Sequence, residues 1–96
     1  MIRVKVRTIL TIKKILGKGE IEVPVPENTT LKELVTILGN RFGDELTSLL
    51  AGPENRNRLP HIRYMVNGRD IAFLNGMETA LESGDEVLIL PPVSGG

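Results

Sequence analysis

The chain opens on an alternation. Ile2, Val4, Val6, Leu10 and Ile12 fall on one side of an extended backbone, and Arg3, Lys5, Arg7 and Lys13 on the other. Period-two spacing predicts a strand over residues 2–12 with one buried side and one wet, basic side. Gly17-Lys18-Gly19 reads as a turn. Ile21, Val23 and Val25 then alternate with Glu20, Glu22 and Pro24, giving a second strand in an antiparallel hairpin with the first. Pro24 has no N–H to donate, which places this strand at a sheet edge. After it the period changes. Leu31, Leu34, Val35 and Leu38 recur at helical spacing behind Thr30 and Glu33, the spacing of a capping box. Gly39 is placed to end that helix in the left-handed conformation. Leu46, Leu49 and Leu50, following Gly43-Asp44-Glu45, predict a second short helix.

From Ala51 to His61 there is no periodicity, and the segment reads as a surface loop longer than the usual connection. Ile62 to Val66 predicts a strand. Asn67-Gly68 suits a type I′ turn, from which Arg69-Asp70-Ile71 returns as a short partner strand. Leu74, Met77 and Leu81 anchor an irregular stretch, and Gly84-Asp85 turns the chain into a last strand over 86–90. The order strand, strand, helix, short helix, strand, short strand, strand predicts the α+β class, with one main helix packed on one face of a mixed sheet. Parallel pairing of the first and last strands at the centre would make it a β-grasp sheet. The last strand is apolar on both sides. Val87 and Ile89 are assigned to the core, and Leu88 and Leu90 to the open face beside Arg3, Lys5 and Arg7. An apolar patch at the base of a terminal segment suits docking, so Leu88, Leu90, Arg3 and Arg7 are the candidate docking residues.

Composition narrows the function classes. Ninety-six residues make one domain. Twelve basic residues balance twelve acidic ones, which argues against a nucleic-acid partner. There is no cysteine, hence no disulfide and no thiolate nucleophile. No apolar run approaches the ~20 residues of a membrane span, so no membrane partner is expected. The N-terminus lacks the continuous apolar stretch of a signal peptide, and the cytoplasm is the expected compartment. His61 is the single histidine and has no partner at ligand spacing, so no metal site is expected. Gly17-Lys18-Gly19 lacks the third glycine of a dinucleotide fingerprint, Glu22 standing in its place. Asn28-Thr29-Thr30 matches a glycosylation acceptor but reads as the helix entry. Asp44-Glu45 and Asp85-Glu86 each begin an element, and Arg56 and Arg58 belong to a solvated loop.

These readings divide the chain into a domain, 1–90, and a projecting tail, 91–96, of sequence Pro91-Pro92-Val93-Ser94-Gly95-Gly96. Pro91-Pro92 favour a polyproline-like rod, which lowers the entropy lost when the tail is held. Gly95 and Gly96 carry no Cβ and can enter a narrow channel in almost any backbone conformation. Six residues reach at most ~20 Å. The group at the tip is the Gly96 α-carboxylate. It has a pKa of about 3.5, is ionised at neutral pH, and needs activation before it can act as an electrophile.

A β-grasp-sized chain with this tail resembles the MoaD/ThiS group of ubiquitin-like sulfur carriers, and within it the small subunit of molybdopterin synthase. Met65-Val66-Asn67-Gly68, Leu81-Glu82-Ser83-Gly84-Asp85-Glu86-Val87 and the tail from Pro91 carry the resemblance. The resemblance implies that an E1-like enzyme adenylates Gly96 with ATP. A persulfide sulfur then displaces AMP to leave a thiocarboxylate, and the large synthase subunit receives the tail through Pro91, Pro92, Val93, Ser94 and Gly95. It also implies a non-catalytic, sulfur-donating subunit with no bound cofactor, ATP being used by the partner. Two other roles share the adenylation step: a modifier linked through Gly96 to lysines, and a carrier for tungsten-cofactor, thiamine or tRNA-thiolation pathways. An interaction domain with an inert tail is the remaining alternative. The 51–61 loop is longer than in compact members of the group.

Overall fold

The alternating N-terminal residues form strand β1 (Ile2–Thr8) in the computed structural model, which describes residues 1–50 and 62–91. Val4 and Val6 are fully buried on its inner side. The strand stops where both of its neighbours run out. On one side Arg7 pairs with Glu20, the first residue of β2 (Glu20–Val25), and the Thr8 N–H donates to Gly19 O at 2.9 Å. On the other side Thr8 is the last residue in register with β5 (Glu86–Leu90), opposite Ile89. Two residues further that neighbour reaches Pro91-Pro92, which have no N–H for a ladder.

The strand expected over 2–12 is therefore cut at Thr8, and Leu10–Leu16 form helix α1 instead. Ile12 and Leu16 are buried and Ile15 half-buried. Their helical spacing was concealed by the even-numbered run through Leu10 and Ile12. Gly17 closes α1 in the left-handed conformation, at φ 85°. Gly17-Lys18-Gly19 thus joins a helix to β2 and is not a tight hairpin turn. The β1–β2 pairing is still antiparallel, and β2 with Pro24 lies at the sheet edge.

Helix α2 (Leu31–Phe42) begins at the expected capping box. The Glu33 N–H donates to Thr30 Oγ1, and the Thr30 N–H donates to Glu33 Oε1. Leu31, Leu34 and Leu38 are buried, and each fully buried leucine contributes about 1.5–3 kcal/mol. Gly39 does not end this helix. α2 continues to Phe42, and Gly43, at φ 97°, ends it. Gly39 is buried where α2 meets α3 (Asp44–Leu50), and a Cβ there would lie 2.6 Å from Thr47 Oγ1. Close helix approach, rather than a turn, requires this glycine.

β3 (Arg63–Val66) and β4 (Arg69–Asp70) are joined through Asn67 (φ 52°) and Gly68 (φ 85°), the two positive angles of a type I′ turn. Ile71 opens a single 3-10 turn instead of extending β4. The sheet order is β2-β1-β5-β3-β4, with β1 and β5 parallel at the centre and the other pairs antiparallel. Val4, Val6, Val23, Val25, Val87 and Ile89 from the sheet meet Leu31, Leu34 and Leu38 of α2 in one core. This is the β-grasp arrangement.

Candidate functional site

Pro92, Val93, Ser94, Gly95 and Gly96 lie outside the described residues, as does the 51–61 loop with Arg56, Arg58 and His61. The structure defines the root from which the tail leaves. Pro91, expected as the first residue of the projecting arm, is buried, so the anchored part extends one residue beyond β5. Thr8 is the fastening. It occupies an inward position at the end of β1, and its hydroxyl donates to Ile89 O at 2.6 Å. That bond satisfies a carbonyl at the point where β1 ends and supplies no further N–H to the parallel ladder. The chain leaves from β5, which is paired with β1 on one side and β3 on the other.

A second clamp holds the start of β5. Asn67 Nδ2 donates to Asp85 Oδ1 at 2.9 Å, and Asn67 Oδ1 accepts from the Glu86 N–H at 2.9 Å. Asp85 Oδ2 accepts from the Glu82 N–H at 2.8 Å. The two internal stretches that carry the family resemblance are thus partners. Asn67 of the β3–β4 turn and Asp85 of the turn before β5 fix each other and the entry to the strand that carries the tail.

The face opposite α2 is where the sequence placed docking residues. Val87 and Ile89 are fully buried, while Leu88 and Leu90 on the other side of β5 are half-buried. In register, Leu88 lies between Arg7 of β1 and Met65 of β3, and Leu90 lies beside Arg63. Met65 and Arg63 were missed at the sequence level. Their signal was the alternation of Arg63 and Met65 with the buried Tyr64 and Val66. Arg3 is not brought to this patch. It sits four residues back along β1, opposite Pro24, and pairs with Glu22 at 3.5 Å.

Nor is the basic side of β1 a free positive stripe. Lys5 and Arg7 both pair with Glu20, at 3.7 and 3.6 Å, and Arg7 Nη1 reaches Glu86 Oε2 at 2.8 Å. The hydrogen bond that Arg7 donates to Glu86 raises the Arg7 pKa further, so the guanidinium stays charged. Across the patch, Asp70 accepts from the Ala72 N–H and from Arg63 Nε, and both hold its carboxyl below the usual range. Exposed pairs of this kind are screened and add little to folding. Their effect is to neutralise the ground around Leu88, Leu90 and Met65. The site is an apolar strip framed by paired charges.

Among the described residues no helix is long and apolar enough to cross a membrane. A model of the ThiS family matches residues 10–96. An Archaeoglobus fulgidus protein named as a sulfur carrier is 35% identical over 81 residues, covering 84% of this chain and 89% of that one. The small archaeal modifier protein 3 of Haloferax volcanii is 30% identical over 92 residues, covering 96% and 97%. The solution structure of small archaeal modifier protein 1 from Methanosarcina acetivorans superposes with a TM-score of 0.79 at 27% identity, covering 100% of this chain and 98% of that one.

Proposed function

The chain belongs to the ThiS family, and from that premise we propose that it carries sulfur on its Gly96 carboxyl for a molybdopterin synthase, as that enzyme's small subunit. The supporting observation is that the family match runs through to Gly96, behind a root held by Thr8 and the buried Pro91. An E1-like enzyme supplies the activation. The carboxylate oxygen attacks the α-phosphorus of ATP and pyrophosphate leaves. A persulfide sulfur attacks the acyl carbon and expels AMP. A second thiol then breaks the resulting sulfur–sulfur bond and leaves the thiocarboxylate. The sulfur attacks a pterin precursor in the large subunit. The carrier itself supplies a rigid root, a narrow arm and a docking face, and binds no cofactor. The reading includes a cytoplasmic location, where the activating enzyme is supplied with ATP.

Intact-mass measurement tests the carrier step. After incubation with an E1-like enzyme, ATP and a sulfur donor, the chain should gain the difference between one sulfur and one oxygen at Gly96. An unchanged mass under conditions that convert a known carrier would overturn the proposal. The likeness to a Haloferax modifier protein favours a second role, isopeptide linkage of Gly96 to lysines. That role predicts high-mass conjugates that survive reducing denaturation and vanish when Gly96 is deleted.

A further inference from the structure

Leu10 is held at φ 54°, in the left-handed region. Among the described residues the other non-glycine ones there are Asn28 and Asn67, of the type that tolerates it. A leucine is strained at this angle, and the fold recovers little from its side chain, which is 58% exposed beside Ile9 at 45%. On stability alone, glycine or asparagine would serve better at position 10. The leucine therefore points to a contact outside the domain.

Ile9, the residue before it in the chain, lines a groove that says what kind. A shallow groove of about 530 Å³ is lined by Arg7, Thr8, Ile9, Gly19, Glu20 and Leu88. The groove continues from the apolar strip on the open face to the end of β1, where Thr8 fastens the tail root. Lys13 lies along its rim, since a Cβ on Gly19 would be 3.6 Å from Lys13 Cε. Lys18 adjoins Gly19 in the chain and is exposed. Among the described residues neither lysine forms an ion pair, whereas Arg3, Lys5 and Arg7 on the neighbouring strand all do. The α3 carboxylates of Asp44 and Glu45 pair with neither lysine. The corner thus offers exposed apolar surface rimmed by two uncompensated cations.

We propose that this corner docks an acidic segment of the adenylating enzyme, one that inserts an apolar side chain between Ile9 and Leu88 and covers the exposed Leu10 while its carboxylates meet Lys13 and Lys18. This rests on the carrier reading, because an enzyme that takes the tail must approach past its root. Docking there would fix the direction in which the arm enters the catalytic channel. The lysines would steer the encounter, and the apolar insertion would slow dissociation.

Three variants test it, with binding to the E1-like enzyme and AMP formation both measured. Leu10→Asn relieves the strain and removes the apolar side chain. It should melt no lower than the unmodified chain, yet bind about tenfold more weakly. Gly19→Leu fills the groove from a position where a Cβ meets only ordinary contacts, and should weaken binding to a similar degree. Lys13→Glu with Lys18→Glu should lower the association rate and reverse its dependence on salt. Normal binding and adenylation of all three variants would overturn this corner as a docking site and leave the carrier reading standing. Failure of the unmodified chain to be adenylated would overturn the carrier reading and the proposal together. A melting-temperature loss in Leu10→Asn would show that the leucine serves the fold, and would also overturn the proposal.

Discussion

Tyr64 brings a phenol into the core without a hydrogen-bond partner for its oxygen among the described residues. Its residue is only 7% exposed, and burial pushes its pKa up from 10.0 to about 12. A folded-state pKa above the unfolded one means that the fold holds the proton more tightly. The matching stability is complete below the unfolded pKa and is lost as pH rises through the folded one, at roughly 1.4 kcal/mol per unit. Tyr64→Phe removes the orphan hydroxyl and keeps the ring. The variant is expected to be at least as stable as the parent near neutral pH, and its melting temperature should fall less on going from pH 10 to pH 12. Equal alkaline losses in parent and variant would refute this assignment. Asn67 and Asp85 are opposite in kind. Every side-chain oxygen of the pair is bonded, and the pair locks a turn to a strand.

At the scale of elements, the junction of α2 and α3 is decided by one missing methyl group. Alanine favours a helix interior over glycine by about 1 kcal/mol, yet a Cβ at position 39 meets Thr47 Oγ1 at 2.6 Å. Thr47 Oγ1 also donates to Gly43 O at 3.1 Å, so turning it away breaks a bond at the end of α2. Gly39→Ala alone should therefore fall short of the propensity gain. In a Thr47→Ala background it should recover that gain. The double-mutant cycle is expected to give a coupling of about 1 kcal/mol between the two sites, and additive effects would show that the helices separate freely. α1 follows similar logic. Its existence depends less on its own sequence than on the loss of ladder partners for β1 beyond Thr8.

At the scale of the molecule, the two faces of the sheet have separate tasks. One is filled by α2. The other presents Leu88, Leu90 and Met65 among neutralised charges, next to the strand ends that carry the tail. Leu88→Asp should weaken binding to the activating enzyme or the synthase large subunit by about 1.4–3 kcal/mol, tenfold or more, with little change in melting temperature. Arg3→Glu, at the far end of β1, should change binding by less than about twofold because the pairs there are exposed and screened. Titration calorimetry with the purified partner distinguishes the two variants, and equal effects would mean that the whole face, rather than its tail end, is the interface.

The sequence by itself determined whatever depends on neighbours in the chain. The capping box of α2, the Asn67-Gly68 turn and the alternation of β5 follow from local spacing, and the edge position of β2 follows from Pro24 alone. The candidate tail was equally legible, because its chemistry depends on glycines, prolines and a carboxyl. Contacts between distant segments were decided only by the tertiary structure. β1 ends at Thr8 because Gly19 and Pro91 arrive beside it from remote parts of the chain. Gly39 is inside a helix because Thr47 packs against it. Arg3 is removed from the docking strip because the register sets Arg7, not Arg3, beside Leu88, and Arg7 is neutralised because Glu20 and Glu86 lie across the strands. Periodicity reports which way a side chain points. What it meets there is fixed by pairing register and close packing, and that information is spread over the whole chain.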